Sequence, residues 1–131
     1  MRIYLDTSAL VKLVVAEDES HALKHFLDAH ADDSLFSAAL ARTELIRAVS
    51  PNGAQAIAEA RALLNRLDTV TLTRQLLDDA GALLPLSLRS LDAIHFAAAQ
   101  RAGDSLRAVI TYDARMLSAA ADLGISTASP R

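Results

Sequence analysis

Residues 1–13 read MRIYLDTSALVKL: an apolar run, an acid, two hydroxyl residues, then helical spacing. Ile3, Tyr4 and Leu5 make Arg2–Leu5 a short apolar strand. Asp6 closes it, and Thr7 or Ser8 is placed to cap a helix from about Ala9 to Val15. Strand, turn and helix in immediate succession open a parallel α/β fold. The alternation continues along the chain. Glu17-Asp18-Glu19-Ser20 starts a second helix through His21, Leu23, Phe26 and Leu27. Ser34–Ser37 reads as a second strand. A helix with Leu40, Leu45, Ile46 and Val49 follows, broken by Pro51-Asn52-Gly53. Another runs to about Leu67 with Ile57, Leu63 and Leu64. Val70 and Leu72 alternate with threonines as a strand does. A helix from about Arg74 to Leu84 stops at Pro85. Ser90 is placed to cap a helix through Ile94, Phe96 and Ala97, with Gly103 as its C′ residue. Ala108–Thr111 (AVIT) reads as a strand, Asp113–Leu123 as a helix ended by Gly124, and Ile125–Thr127 as a last strand. Strands alternating with helices predict a parallel sheet covered on both faces.

The composition bounds what such a chain can be. Its 131 residues make one domain, 1–131, long enough for a core, and 52% hydrophobic content excludes a disordered chain. The apolar residues are mostly Ala, Leu and Val, which suits closely packed helices on a small sheet. No apolar run reaches the length of a membrane span. Asp6 interrupts the apolar region that a signal peptide would need, so the expected location is the cytoplasm. The chain has no cysteine, which excludes disulfides, thiolate metal sites and cysteine nucleophiles.

Four carboxylates fall at predicted strand-to-helix turns or just inside helices: Asp6, Glu44, Asp92 and Asp113. Open parallel sheets bind ligands beyond the carboxyl ends of their strands. Asp6 follows the first strand and Asp113 the AVIT strand. Asp92 falls in the first turn of a helix, and Glu44 about two turns into one. Singly, each has an ordinary explanation. Asp6 suits a turn, Asp92 and Asp113 suit positive helix ends, and Glu44 can pair with Arg47. As a set near one edge they repel one another and call for a hard divalent cation, whose chemistry suits phosphodiester hydrolysis. Ser8 and Thr111 are placed to orient a carboxylate or a water. No base accompanies either hydroxyl, which argues against a serine nucleophile. His95 reads as a packed structural residue, and His21, His25 and His30 as surface residues.

The net charge of −3 runs against the usual basic character of nucleic-acid binders. Setting the four candidate acids aside leaves +1. All cationic side chains except Lys12 and Lys24 are arginine. Arg42, Arg89 and Arg115 neighbour the acids and can grip phosphates or pair with the acids themselves.

Four segments carry a resemblance: IYLDTSALVKL at Ile3–Leu13, ARTELIRAV at Ala41–Val49, LRSLDAIHFAAA at Leu88–Ala99 and VITYDARM at Val109–Met116. In this order and spacing the chain resembles the PIN-domain ribonucleases, and within them the VapC-type toxins of toxin–antitoxin pairs. The resemblance implies a PIN-like three-layer α/β/α fold with about five parallel strands. It implies a metal-dependent endoribonuclease acting with Mg²⁺ or Mn²⁺, and structured RNA such as tRNA or rRNA as substrate. The implied products carry 5′-phosphate and 3′-hydroxyl ends. It carries the family's acidic positions onto Asp6, Glu44, Asp92 and Asp113, with Asp6 and Asp92 the main metal ligands, and its short hydroxyl position onto Ser8. It further implies a homodimer and a small VapB-type antitoxin, whose apolar helix is expected against the helices near residues 9–15 and 40–64. Other readings of an acid-edged α/β domain fit less well. A phosphoacceptor receiver needs a late lysine, and an aspartyl phosphatase needs an acid where Ser8 stands. A non-catalytic PIN-like module has no need of the full acidic set.

Overall fold

The structure, a computed structural model, describes residues 1–131. Five strands, β1 (Arg2–Leu5), β2 (Ser34–Ala38), β3 (Asp68–Val70), β4 (Leu106–Ile110) and β5 (Thr127–Ala128), form one sheet in the order β3-β2-β1-β4-β5. Every neighbouring pair is parallel, and Tyr4 at the centre stands opposite Phe36 on one side and Val109 on the other. The chain works outward from β1 through β2 to β3, then returns to place β4 on the other side of β1. The reversal makes the β1–β4 carboxyl end the topological switch point.

Seven helices cover the sheet: α1 (Thr7–Val14), α2 (Ser20–Ala29), α3 (Ala41–Val49), α4 (Ala54–Arg66), α5 (Arg74–Gly81), α6 (Ser90–Gln100) and α7 (Ala114–Leu123). Alternation along the strands sorts them into two layers. Ile3, Leu5, Ala108 and Ile110 pack with buried residues of α1 to α4, including Leu10, Leu23, Leu45 and Leu64. Tyr4, Phe36, Ala38 and Val109 pack with α5 to α7 through Leu76, Phe96 and Met116. The Tyr4 and Phe36 rings meet edge to face, centroids 5.1 Å apart. The three-layer parallel α/β fold is as expected.

Several joins differ from what their local signals suggest. α1 is capped by Asp6, which accepts from the Ala9 N–H at 2.9 Å, and not by Thr7 or Ser8. Both hydroxyls are engaged with carboxylates instead. Ser90 lies inside α6; Arg89 precedes the helix and its side chain makes no capping bond. Gly103 is not the C′ residue of α6 but opens a separate short turn, Gly103–Ser105, at φ +54°. α5 ends at Gly81, short of Pro85. Glu44 stands in the first turn of α3, not two turns in. β3 ends at Val70 because its register against β2 pairs Phe36 with Asp68 and Ala38 with Val70. Leu72 lies past the strand and packs on the second layer. β4 begins at Leu106 and ends one residue before Thr111.

The leucines of α1, α3 and α4 at positions 10, 45, 63 and 64 are core. The exposed large apolar side chains are Met1, Leu77, Leu84, Leu86 and Leu91. Leu45→Ala empties a fully buried site and should lower urea-unfolding stability by about 2–5 kcal/mol. Leu86→Ala, at a residue 86% exposed, should change it by less than about 0.5 kcal/mol.

At the amino ends of the strands, the Arg107 guanidinium and the Met1 amino group both bond to Asp33. The Arg107 bonds hold its carboxyl at about 2, below the ordinary 3.8. A depressed folded value gives stability that is present above pH 3.8 and lost as pH falls through about 2. Asp33→Asn should therefore unfold at lower urea than the parent at neutral pH, and the difference should close on acidification across that window.

Candidate active site

At the carboxyl edge of the sheet α1, α3, α5 and α7 each follow a strand, and α6 runs back toward β4 from the same edge. Four of these five starts carry the four acids: Asp6 caps α1, Asp113 caps α7, and Glu44 and Asp92 lie in the first turns of α3 and α6. The positive ends of these helices lower the cost of bringing negative charges together.

Asp6 is the most enclosed of the four, only 3% exposed. Its Oδ1 accepts from Ser8 Oγ at 2.7 Å and the Ala9 N–H at 2.9 Å, and its Oδ2 accepts from Thr111 Oγ1 at 2.5 Å. Burial raises its pKa, against the opposing effect of these bonds and of His95. No ion pair neutralises it.

Ser8 and Thr111 clasp this carboxylate from two elements. Ser8 Oγ also accepts from the Tyr112 N–H at 2.9 Å, and Thr111 Oγ1 from the Asp113 N–H at 3.1 Å. The two hydroxyls therefore tie Asp6 to the chain that leads into α7. Asp113 Oδ1 accepts from the N–H groups of Arg115 and Met116, leaving Oδ2 to face the site.

Arg89 closes the row. Its Nε donates to Asp92 Oδ2 at 2.9 Å and its Nη2 to Asp113 Oδ2 at 3.1 Å. Asp92, Arg89 and Glu44 line one cleft, Arg89 links Asp92 to Asp113, and Thr111 links Asp113 to Asp6, which gives a row from Glu44 past Asp92 and Asp113 to Asp6. Of the three arginines weighed from sequence, Arg89 pairs with the acids. Arg115 lines a second cleft of about 580 Å³ beside Asp92, and Arg42 faces a separate groove of about 480 Å³ with Arg47 and Arg61.

Glu44 is held differently from the expected Arg47 pair. Its Oε1 accepts from Thr7 Oγ1 at 2.7 Å and meets His95 Nε2 at 2.6 Å. Burial would raise Glu44, but the bonds from His95 and Thr7 outweigh it and hold the carboxyl below its ordinary value. His95 is 2% exposed, and its Nδ1 stands 2.6 Å from Tyr4 Oη. The Tyr4 oxygen also accepts from the Ala38 N–H, and burial drives its pKa strongly upward. His95 therefore bridges Tyr4 and Glu44 through its two ring nitrogens. His95 is thus a packed residue, as expected, but one that fixes a site acid. Spacing within α6 shows His95 on the Asp92 side; nothing local reveals Tyr4 and Glu44 as its partners.

The acids offer oxygen donors only, the set that suits Mg²⁺ or Mn²⁺. No three Asp, Glu or His side chains stand close enough to form a finished chelate. Mg²⁺ retains several waters and takes one or two carboxylates, so an open row with Asp6 buried and unneutralised fits it in kind.

A sequence model of the PIN domain family matches residues 3–122. Ribonuclease VapC46 of Mycobacterium tuberculosis (strain ATCC 25618 / H37Rv) is 47% identical over 128 residues, covering 98% of this chain and 97% of its own. The crystal structure of Mycobacterium tuberculosis VapC20, described as a Sarcin-Ricin loop cleaving toxin, superposes with a TM-score of 0.77 at 18% identity, over 98% of this chain and 99% of that one. A toxin–antitoxin complex from Klebsiella pneumoniae gives 0.68 at 19% identity, over 88% and 90%. The fold likeness holds across low identity, whereas the curated relative matches nearly end to end.

The His95 contacts predict a coupling. His95→Leu strands the buried Tyr4 hydroxyl and should cost about 1–3 kcal/mol in urea unfolding. Tyr4→Phe combined with His95→Leu should cost less than the sum of the two single changes, as a double-mutant cycle would measure.

Proposed function

Because this chain belongs to the PIN-domain family, among its VapC ribonucleases, we propose that it is a metal-dependent endoribonuclease toxin cutting structured RNA to 5′-phosphate and 3′-hydroxyl ends. The observation that carries the reading is Asp6: a carboxylate at the end of the central strand, nearly sealed, bonded on both oxygens and without an ion-pair partner, at the sheet edge that also carries Glu44, Asp92 and Asp113. Asp6 and Asp92 are the principal ligands of Mg²⁺ or Mn²⁺, and Asp113 and Glu44 complete or flank the site. When bound, such an ion polarises the phosphoryl oxygens and makes water acidic enough to attack at neutral pH. The protein's own part is positional. Ser8 and Thr111 fix the Asp6 carboxylate, His95 and Thr7 fix Glu44, and the α7 N-terminus fixes Asp113. Preorganised charge of this kind needs no rearrangement during reaction.

Recognition of RNA rests on its backbone and shape. Tyr4, Phe36 and Phe96 are fully buried, so the aromatic rings available for base stacking are few. The Arg42–Arg47–Arg61 groove and Arg115 supply phosphate contacts. Cutting tRNA or rRNA arrests translation, which makes the chain a growth inhibitor. A VapB-type antitoxin neutralises it, a partner supported by the likeness to the toxin–antitoxin complex. The protein acts as a homodimer in the cytoplasm; no helix is long and apolar enough to cross a membrane. A receiver role finds no support, since no lysine follows Lys24 in the sequence.

Asp6→Asn keeps an acceptor for Ser8 and Ala9 and an amide that Thr111 can accept, so the fold should persist. Cleavage of cellular RNA with Mg²⁺, read by mapping new 5′ ends, should fall at least roughly a hundredfold. Parental cutting by purified Asp6→Asn would remove Asp6 from the mechanism.

A further inference from the structure

Arg89 immediately precedes α6 and separates two clefts. One, of about 580 Å³, is walled by Arg89, Asp92, Arg115 and Asp122; the other, of about 270 Å³, by Glu44, Arg89, Leu91 and Asp92. The guanidinium spans Asp92 Oδ2 and Asp113 Oδ2 at 2.9 and 3.1 Å, while its side chain remains 53% exposed. The fork therefore lies across the gap between two carboxylates that a small cation also needs. A guanidinium and a divalent ion meet the same electrostatic demand and cannot occupy the same oxygens. Arginine cannot release its proton to withdraw, so it leaves only by swinging outward. The exposure makes that motion inexpensive, because ion pairs in contact with water contribute little and exchange readily.

From this arrangement we infer that Arg89 is a tethered counter-cation that competes with divalent metal for Asp92 and Asp113, and that its withdrawal joins the two clefts into one path along the acids. The inference rests on the reading of the acids as a metal site. Arg89 is on this view a positioning residue, and it sets the metal concentration at which the row fills. If the fork holds the acids in about nine molecules of ten, the apparent metal affinity is reduced about tenfold.

The test is Mn²⁺ binding to the purified full chain by isothermal titration calorimetry, independent of RNA cleavage. Arg89→Gln should tighten binding about tenfold. Arg89→Lys, which keeps the charge but reaches one carboxylate at a time, should fall between Arg89→Gln and the parent. Arg115→Gln is the electrostatic control. It removes the same charge from the wall of the same cleft, where only the Arg115 backbone N–H bonds Asp113, and should change binding by less than about twofold. Unchanged or weakened binding in Arg89→Gln overturns the inference, as does an equal gain in Arg115→Gln. Asp6→Asn separates the two levels. If it loses Mn²⁺ while Arg89→Gln behaves as the parent, Arg89 alone is misassigned. If it binds as the parent does, the ion sits elsewhere, and both the metal reading and the role of Arg89 fall.

Discussion

Everything at the working edge of this domain follows from burying a carboxylate at the end of the central strand. A buried, unpaired charge is among the most expensive things a fold can contain. Asp6 is tolerated because it caps α1, accepts from three donors and faces other positive helix ends. Those donors come from both sides of the β1–β4 switch point, so the same bonds that make the charge bearable also lock the two crossovers together. Ser8 and Thr111 serve the carboxylate and the chain path at once.

A helix-dipole reading and a metal reading of the acids first look like rivals. The structure makes them the same statement. Parallel βα units deliver helix N-termini to one edge, and an acid at each is locally favourable. Collecting four of them produces a concentration of negative charge that no single helix start would show. Arg89 and His95 then meet part of that charge from within the chain, Arg89 between Asp92 and Asp113 and His95 at Glu44. The acidic net charge therefore reflects one face of the molecule, and arginines Arg42, Arg47 and Arg61 line a groove of their own.

Much of this architecture was legible because periodicity is a local signal. The Ile3–Leu5 run, the AVIT strand and the Asp113-to-Gly124 helix each announce themselves within a dozen residues, and Gly124 does adopt the left-handed cap at φ +68°. The acids were legible for the same reason, being tied to helix starts. What failed was pairing between distant residues. Tyr4 and His95 are 91 residues apart, and Asp6 and Thr111 are 105 apart. The strand ends failed likewise: β3 is trimmed by its register with β2, and no feature of Val70-Thr71-Leu72 reports that register. Ser90 has the right chemistry for a cap, but the helix begins on it rather than after it.

Asp113 carries a consequence for how such a protein changes over generations. One of its oxygens holds the first turn of α7 while the other faces the acid row. Replacing it with a residue that cannot cap removes about 1 kcal/mol of helix stability along with the charge. A change of that size shifts the amount of folded protein in a cell several-fold. Lineages drifting toward inactivity through this position would tend to lose abundance at the same time.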